Sequence, residues 1–151
     1  MAELTRAGVA VVLCAADEAA LDALVLPGLG SRPLRTAPDE FLFVCAPAVA
    51  ADVARETADR VAALDADAVV LDVSDGWVGA RVRGPDAARA FSYVSQLDPP
   101  GVEGFVQGDV AHVAAKVLAD ADGLTILVPS YWGDHLRERL IRDARLSEVR
   151  G

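Results

Sequence analysis

Nucleophilic catalysis needs a hydroxyl or thiol beside a base, and this chain offers Ser74, Ser92, Ser95 and Ser130 with two histidines, His112 and His135. None of these serines sits in the strand-to-helix turn of a nucleophile elbow. His112 falls in an apolar strand-like run and His135 in a helical one, so both read as structural. Cys14 and Cys45 each lie inside an apolar run and form no CxxC pair, which marks them as buried free thiols. Asp120-Ala121-Asp122-Gly123 has the outline of a calcium loop but lacks the later ligands and the bidentate Glu; a hairpin turn explains it better. Gly28-Leu29-Gly30 follows a helical stretch, whereas a phosphate loop stands between strand and helix.

Two groups of residues remain. Asp72 and Asp75 flank Ser74, and in a tight turn such side chains cap nearby backbone N–H groups by default. The functional alternative is that Asp72, Asp75 and Trp77 line a groove that binds an amine or a pterin ring, which makes these three the candidate cofactor-binding residues. Trp77 and Tyr131 are also interface candidates, because aromatic anchors are enriched where proteins meet. For both, interface and plain packing are open readings. Trp132 reads as core filling.

The elements that must position these residues follow from hydrophobic periodicity. Val9 to Cys14 is a strand, and Asp17 can N-cap a helix through Leu26 that buries Leu21, Leu24 and Val25. Leu34 to Thr36 and Glu40 to Cys45 are strands about a Pro38-Asp39 turn. Pro47 opens a helix to Leu64, with Val49, Val53, Thr57 and Val61 as its buried stripe. Ala68 to Val73 is a strand, and Asp75-Gly76 suits a type I′ hairpin into a strand from Trp77 to Arg83. In that strand Trp77, Gly79, Arg81 and Arg83 form the exposed face. Gly84-Pro85-Asp86 starts a helix to about Gln96, burying Ala87, Phe91 and Val94, and Pro99-Pro100-Gly101 stops it. Gly101 to Gly108 is loop, and Asp109 to Leu118 a strand that pairs, through the turn at Asp120 to Gly123, with Leu124 to Val128. Ser130 can N-cap a last helix whose stripe is Trp132, Leu136, Leu140 and Ile141.

The order of elements repeats, with the Asp17 and Asp86 helices and the Pro47 and Pro129 segments in matching places. The expected fold is α/β in the α+β sense: two pseudo-repeated ferredoxin-like β-α-β-β-α halves packed together as one domain, 1–66 and 67–151.

Composition limits the function classes. Hydrophobic residues make up 53% of the 151 and aromatics 5%, so the core must be built mainly from Val, Leu and Ala. A net charge of −9 gives no basic field for a phosphate backbone, which excludes nucleic acid as the expected partner. The late arginines, Arg137, Arg139, Arg142, Arg145 and Arg150, alternate with Glu138, Asp143 and Glu148 as on a solvated helix face. Met1 to Ala20 lacks a signal-peptide pattern, and no apolar run reaches membrane-span length. The expected location is cytoplasmic.

Three stretches carry a family likeness: LRTAPDEFLFVCAP (Leu34 to Pro47), VVLDVSDGWVGARVRGPDAARAF (Val69 to Phe91) with the following QLDP, and LTILVPSYWGDHLRERL (Leu124 to Leu140). Together, from Leu34 to about Ala144, they resemble the gamma subunit of heterotetrameric sarcosine oxidase. That family is similar to the folate-binding aminomethyltransferase fold, the T-protein of glycine cleavage. The resemblance implies a non-catalytic accessory subunit for oxidative demethylation of sarcosine or another N-methyl amine. It docks on a large flavoprotein, the alpha-type subunit, with a beta-type subunit as a further partner; self-association of the isolated chain is left open. No cofactor is implied in this chain: FAD, FMN, NAD and tetrahydrofolate would belong to the partner subunits. Two other readings compete: a stand-alone tetrahydrofolate-binding or one-carbon transfer protein using the groove between the halves, and a regulatory domain binding amino acids.

Overall fold

A computed structural model describes residues 2–149 of the chain. Their contacts divide the chain into two units, residues 8–74 and residues 1–7 with 75–151. The expectation Arg150 carried, as part of a solvated helix face of mixed charge, lies outside the described residues.

The unit of residues 8–74 is a four-stranded antiparallel sheet with two helices. Its elements are β2 (Ala10–Ala15), α1 (Glu18–Ala23), β3 (Arg32–Ala37), β4 (Glu40–Cys45), α2 (Ala50–Ala62) and β5 (Val69–Asp72). The strand order is β3-β4-β2-β5. Alternation along β2 and β4 puts Val12, Cys14, Phe41, Phe43 and Cys45 on one face, where they meet Leu21 of α1 and Val53 and Val61 of α2. Pro47–Val49 forms one 3₁₀ turn that leads into α2, and the buried stripe of the helix is Ala50, Val53, Thr57 and Val61. Phe41 and Phe43 stack with centroids 5.4 Å apart, and Phe43 is fully buried.

The second unit is a six-stranded sheet in the order β10-β1-β6-β9-β8-β7. Its strands are β1 (Glu3–Ala7), β6 (Trp77–Arg83), β7 (Phe105–Val110), β8 (Val113–Asp120), β9 (Gly123–Pro129) and β10 (Ser147–Glu148), with helices α3 (Ala87–Ser92) and α4 (Gly133–Asp143). All neighbours are antiparallel except β1 and β10. Leu4, Val82, Ile126 and Val128 from the strands pack with Phe91, Leu136 and Leu140 from the helices.

The architecture is the expected two-sheet α+β fold, but the units differ from two equal repeats. β1, whose sequence ELTRA gives no apolar signal, pairs with β6 in the second unit. β5 pairs with β2, so the division falls at 74/75 where the sequence suggested 66/67.

The hairpin expected at Asp75-Gly76 does not form. β5 and β6 belong to different sheets, and Ser74–Gly76 is a single 3₁₀ turn between them. Neither Asp75 nor Gly76 has the positive φ that a type I′ turn needs. The single strand expected over Asp109 to Leu118 is instead two, joined by Ala111 and His112 at φ 52° and 66°. No Gly or Asn announces that turn, and β7 begins at Phe105 inside the expected loop. His112 is therefore an exposed turn residue.

α1 ends at Ala23, which leaves Val25 exposed rather than in the core. Asp17 stands at the N-cap of α1 as expected, but its side chain makes no capping hydrogen bond; Ser130 lies inside the 3₁₀ turn Ser130–Trp132, and the N-cap of α4 is Trp132. Trp132 is 41% exposed and sits in the 3₁₀ turn Ser130–Trp132 that precedes α4, so it is a surface residue and not core filling.

Candidate functional site

Three of the four candidate hydroxyls, those of Ser74, Ser92 and Ser95, are engaged in local hydrogen bonds. Ser74 O–H donates to Asp72 Oδ1 at 2.5 Å, and Ser74 Oγ accepts the Val11 N–H at 2.9 Å. Ser92 donates to Arg89 C=O and Ser95 to Asp109 C=O, each at 2.7 Å. Among the described residues no hydrogen bond joins a serine hydroxyl to a histidine ring. None of their His, Cys, Asp and Glu side chains gather in threes to hold a metal ion.

Asp72 has the local role its neighbours suggest. Its Oδ1 accepts both the hydroxyl and the N–H of Ser74, and these hydrogen bonds hold its carboxyl below the usual carboxylate range. Asp72 ends β5 in the first unit, whereas Asp75 and Trp77 begin the second.

Cys14 and Cys45 are buried free thiols. Burial pushes both pKa values up, and the negative charge of Asp72 adds to the effect at Cys45. Asp120 and Asp122 form the expected hairpin turn, Asp120 Oδ1 accepting the Asp122 N–H at 2.8 Å.

The face of β6 expected to be open is largely occupied. Gly79 is buried because Ala7 and Leu127 lie over it, so near that a Cβ would stand 2.8 Å from Ala7 Cβ. Arg81 donates to Asp120 Oδ1 at 2.6 Å and to Thr125 Oγ1 at 3.0 Å. The Arg81 hydrogen bond is the main cause that lowers the Asp120 pKa, against an opposing contribution from burial. Trp77 is half-buried rather than exposed.

What the fold does assemble is an aromatic surface at one end of the six-stranded sheet. The β6–β9 register sets Trp77 opposite Pro129. Two residues on, Tyr131 stands 79% exposed beside Trp132, with ring centroids 5.7 Å apart. His135, in the first turn of α4, meets the Trp132 ring edge-on at 5.5 Å. Its Nε2 is 2.8 Å from Ala111 C=O, and since a carbonyl only accepts, Nε2 carries the proton. That bond ties the start of α4 to the β7–β8 turn. Gly133 lets the helix approach β6: a Cβ there would lie 2.8 Å from Val78 Cγ1.

Beside this surface, α4 and strands β1 and β6 enclose a cleft of about 490 Å³ lined by Thr5, Arg6, Ala80, Tyr131, Arg137 and Glu148. Its rim is closed by a bidentate pair in which Arg137 Nε donates to Glu148 Oε1 at 2.7 Å. The arrangement offers aromatic area and fixed charges suited to contact. Tyr131 was legible in the sequence; the exposure of Trp132 was not, because its spacing to Leu136 and Leu140 copies a buried stripe.

The sequence matches no protein-family model and no curated protein. Its fold is nevertheless that of the aminomethyltransferase type. The chain superposes on aminomethyltransferase T of the glycine cleavage system from Bartonella henselae with a TM-score of 0.73 and 17% identity, over 98% of this chain and 47% of that one. It thus spans about half of that protein.

A chain of the heterotetrameric sarcosine oxidase from Corynebacterium sp. U-96, solved in complex with pyrrole 2-carboxylate, is matched along most of its own length. The TM-score is 0.78 with 21% identity, over 99% of this chain and 88% of that one. The ligand-free regulatory subunit of aspartate kinase from Thermus thermophilus follows at 0.52 with 10% identity, over 95% and 97%. No helix among the described residues is long and apolar enough to cross a membrane.

Proposed function

We propose that this chain is a non-catalytic, gamma-type accessory subunit of a heteromeric flavin-dependent oxidase of sarcosine or a related N-methyl amine. It docks on the large alpha-type flavoprotein, with a beta-type subunit as a further partner, through the surface that carries Tyr131, with Trp77 as a second candidate anchor at the same end of the sheet. The observation behind this reading is the extent of the likeness: 99% of this chain aligns with 88% of a chain from a four-subunit sarcosine oxidase. The two chains therefore have similar size as well as the same fold. The exposed Tyr131 and Trp132 suit an interface, since large aromatic side chains anchor protein contacts. FAD, FMN, NAD and tetrahydrofolate are assigned to the partner subunits.

The test is purification of the tagged chain from its own host. A stoichiometric complex with visible flavin absorbance and a co-purifying large subunit supports the proposal. A chain that emerges alone and colourless from a host expressing the oxidase contradicts it.

A second reading, a stand-alone tetrahydrofolate-binding or one-carbon transfer protein, draws on the likeness to aminomethyltransferase T. Titrating tetrahydrofolate against tryptophan fluorescence separates the two: quenching abolished by Trp77→Ala favours the binder, and an unchanged signal favours the subunit.

A further inference from the structure

We propose that β5 accepts a fifth strand, an extended segment of another polypeptide with alternating apolar residues and basic residues at both ends. The proposal stands on β5 alone and is independent of the subunit reading. β5 closes one side of the four-stranded sheet and pairs with β2. The Val73 N–H donates to Val11 C=O at 2.9 Å, which sets the phase of that ladder. Val69 and Leu71 bond toward β2, so the N–H and C=O of Val70 and Asp72 point outward. An edge of this kind is a template for strand addition unless Lys, Pro or a bulge blunts it. β5 carries neither residue, and its register with β2 is unbroken; its protections are its length of four residues and the charge of Asp72, which repels an acidic partner and not a basic one.

The side chains extend the same invitation. Leu34, Leu42, Leu13 and Leu71 are register partners across all four strands. The first two are buried at 1% and 2% exposure, whereas Leu71 at the edge is 53% exposed. An added strand with an apolar residue opposite Leu71 continues the row.

Charge selects the occupant. Residues 61–80 hold Asp65, Asp67, Asp72 and Asp75 and no Lys or Arg. A second copy laid antiparallel on β5 sets acidic ends against acidic ends, and like charges opposite one another destabilise a strand pair. A segment with basic ends relieves that repulsion.

The experiment is residue-resolved hydrogen exchange on the full chain with two synthetic probes, Lys-Arg-Val-Thr-Val-Thr-Val-Arg-Lys and the same core with Glu-Asp ends. The basic probe is expected to slow exchange of the Val70 and Asp72 amides. Its affinity should fall at least about tenfold in Val70→Pro, which removes one outward N–H, and in Asp67→Lys, which reverses one flanking charge. Asp67 is exposed, so that variant reads the charge effect even where Val70→Pro fails to fold. Three outcomes overturn the proposal: no protection at millimolar probe, equal binding of the acidic-ended probe, or protection in the probe-free protein that rises with protein concentration. The last would give the edge to a second copy.

Discussion

Trp77 on β6 and Pro129 on β9 are register partners, and this pairing sets the half-buried indole at the strand end from which Tyr131 and Trp132 emerge. Residues far apart in sequence thereby share one end of one sheet. Tyr131→Ala should leave the melting midpoint nearly unchanged, because exposed side chains contribute within about 0.5 kcal/mol of stability. Under the proposed subunit role, the same change should weaken binding to a large flavoprotein subunit by about 2 kcal/mol, the cost of truncating an interface anchor. Calorimetric melting and titration of the two purified proteins check both halves.

Gly133 is where α4 meets β6. Gly133→Ala gains helix propensity of roughly 1 kcal/mol in a free helix, but here its methyl would collide with Val78. The single variant is expected to be destabilised by about 1–3 kcal/mol, the usual cost of overpacking. Val78→Ala in the same chain should recover part of that loss, and a denaturation cycle over the four proteins measures the coupling. Additive effects would show that the contact is not the cause.

Asp120 gives a pH dependence whose sign is fixed. Its folded-state pKa lies below the ordinary carboxylate range, chiefly because Arg81 hydrogen-bonds the ionised form. The stabilisation is therefore present above about pH 4 and is lost as pH falls through the depressed folded value. Asp120→Asn should flatten the acid limb of stability against pH, as should Asp72→Asn through loss of the charged acceptor for Ser74. An acid limb identical to that of the parent protein in both variants would contradict these assignments.

Both cysteines should be silent in the native protein. Cys14 and Cys45 are buried, and burial raises their pKa values, which keeps the thiols protonated and out of reach. Alkylation with iodoacetamide is expected only after denaturant is added. Rapid native labelling of either would show that its sheet opens.

Phe43 and Phe91 each fill the core of one unit with 0% exposure. Truncation to Ala should cost about 3–5 kcal/mol at either site. Far-ultraviolet circular dichroism during urea titration reads the loss.

Elements with strong apolar patterning were legible: Glu40–Cys45 is strand over the residues expected, and Val53, Thr57 and Val61 form the buried stripe of α2. What escaped depends on pairing between distant segments. Glu3–Ala7 becomes strand only because β6 and β10 flank it. Asp75-Gly76 has hairpin chemistry but joins two strands that find other partners, while Ala111-His112 turns the chain without turn residues. For the same reason Arg81 and Gly79, open by alternation alone, are covered by Asp120, Thr125, Ala7 and Leu127. At the site, Tyr131 could be found from its place between a strand and a helix, whereas Trp132 was hidden by its helical spacing to Leu136.

Sedimentation of the purified chain with the large flavoprotein subunit of a heterotetrameric sarcosine oxidase tests the proposed subunit role most directly. A single flavin-coloured species of fixed stoichiometry, lost in Tyr131→Ala with Trp132→Ala, is the expected result. Two species that sediment independently at every concentration, with the isolated chain binding tetrahydrofolate, would contradict it.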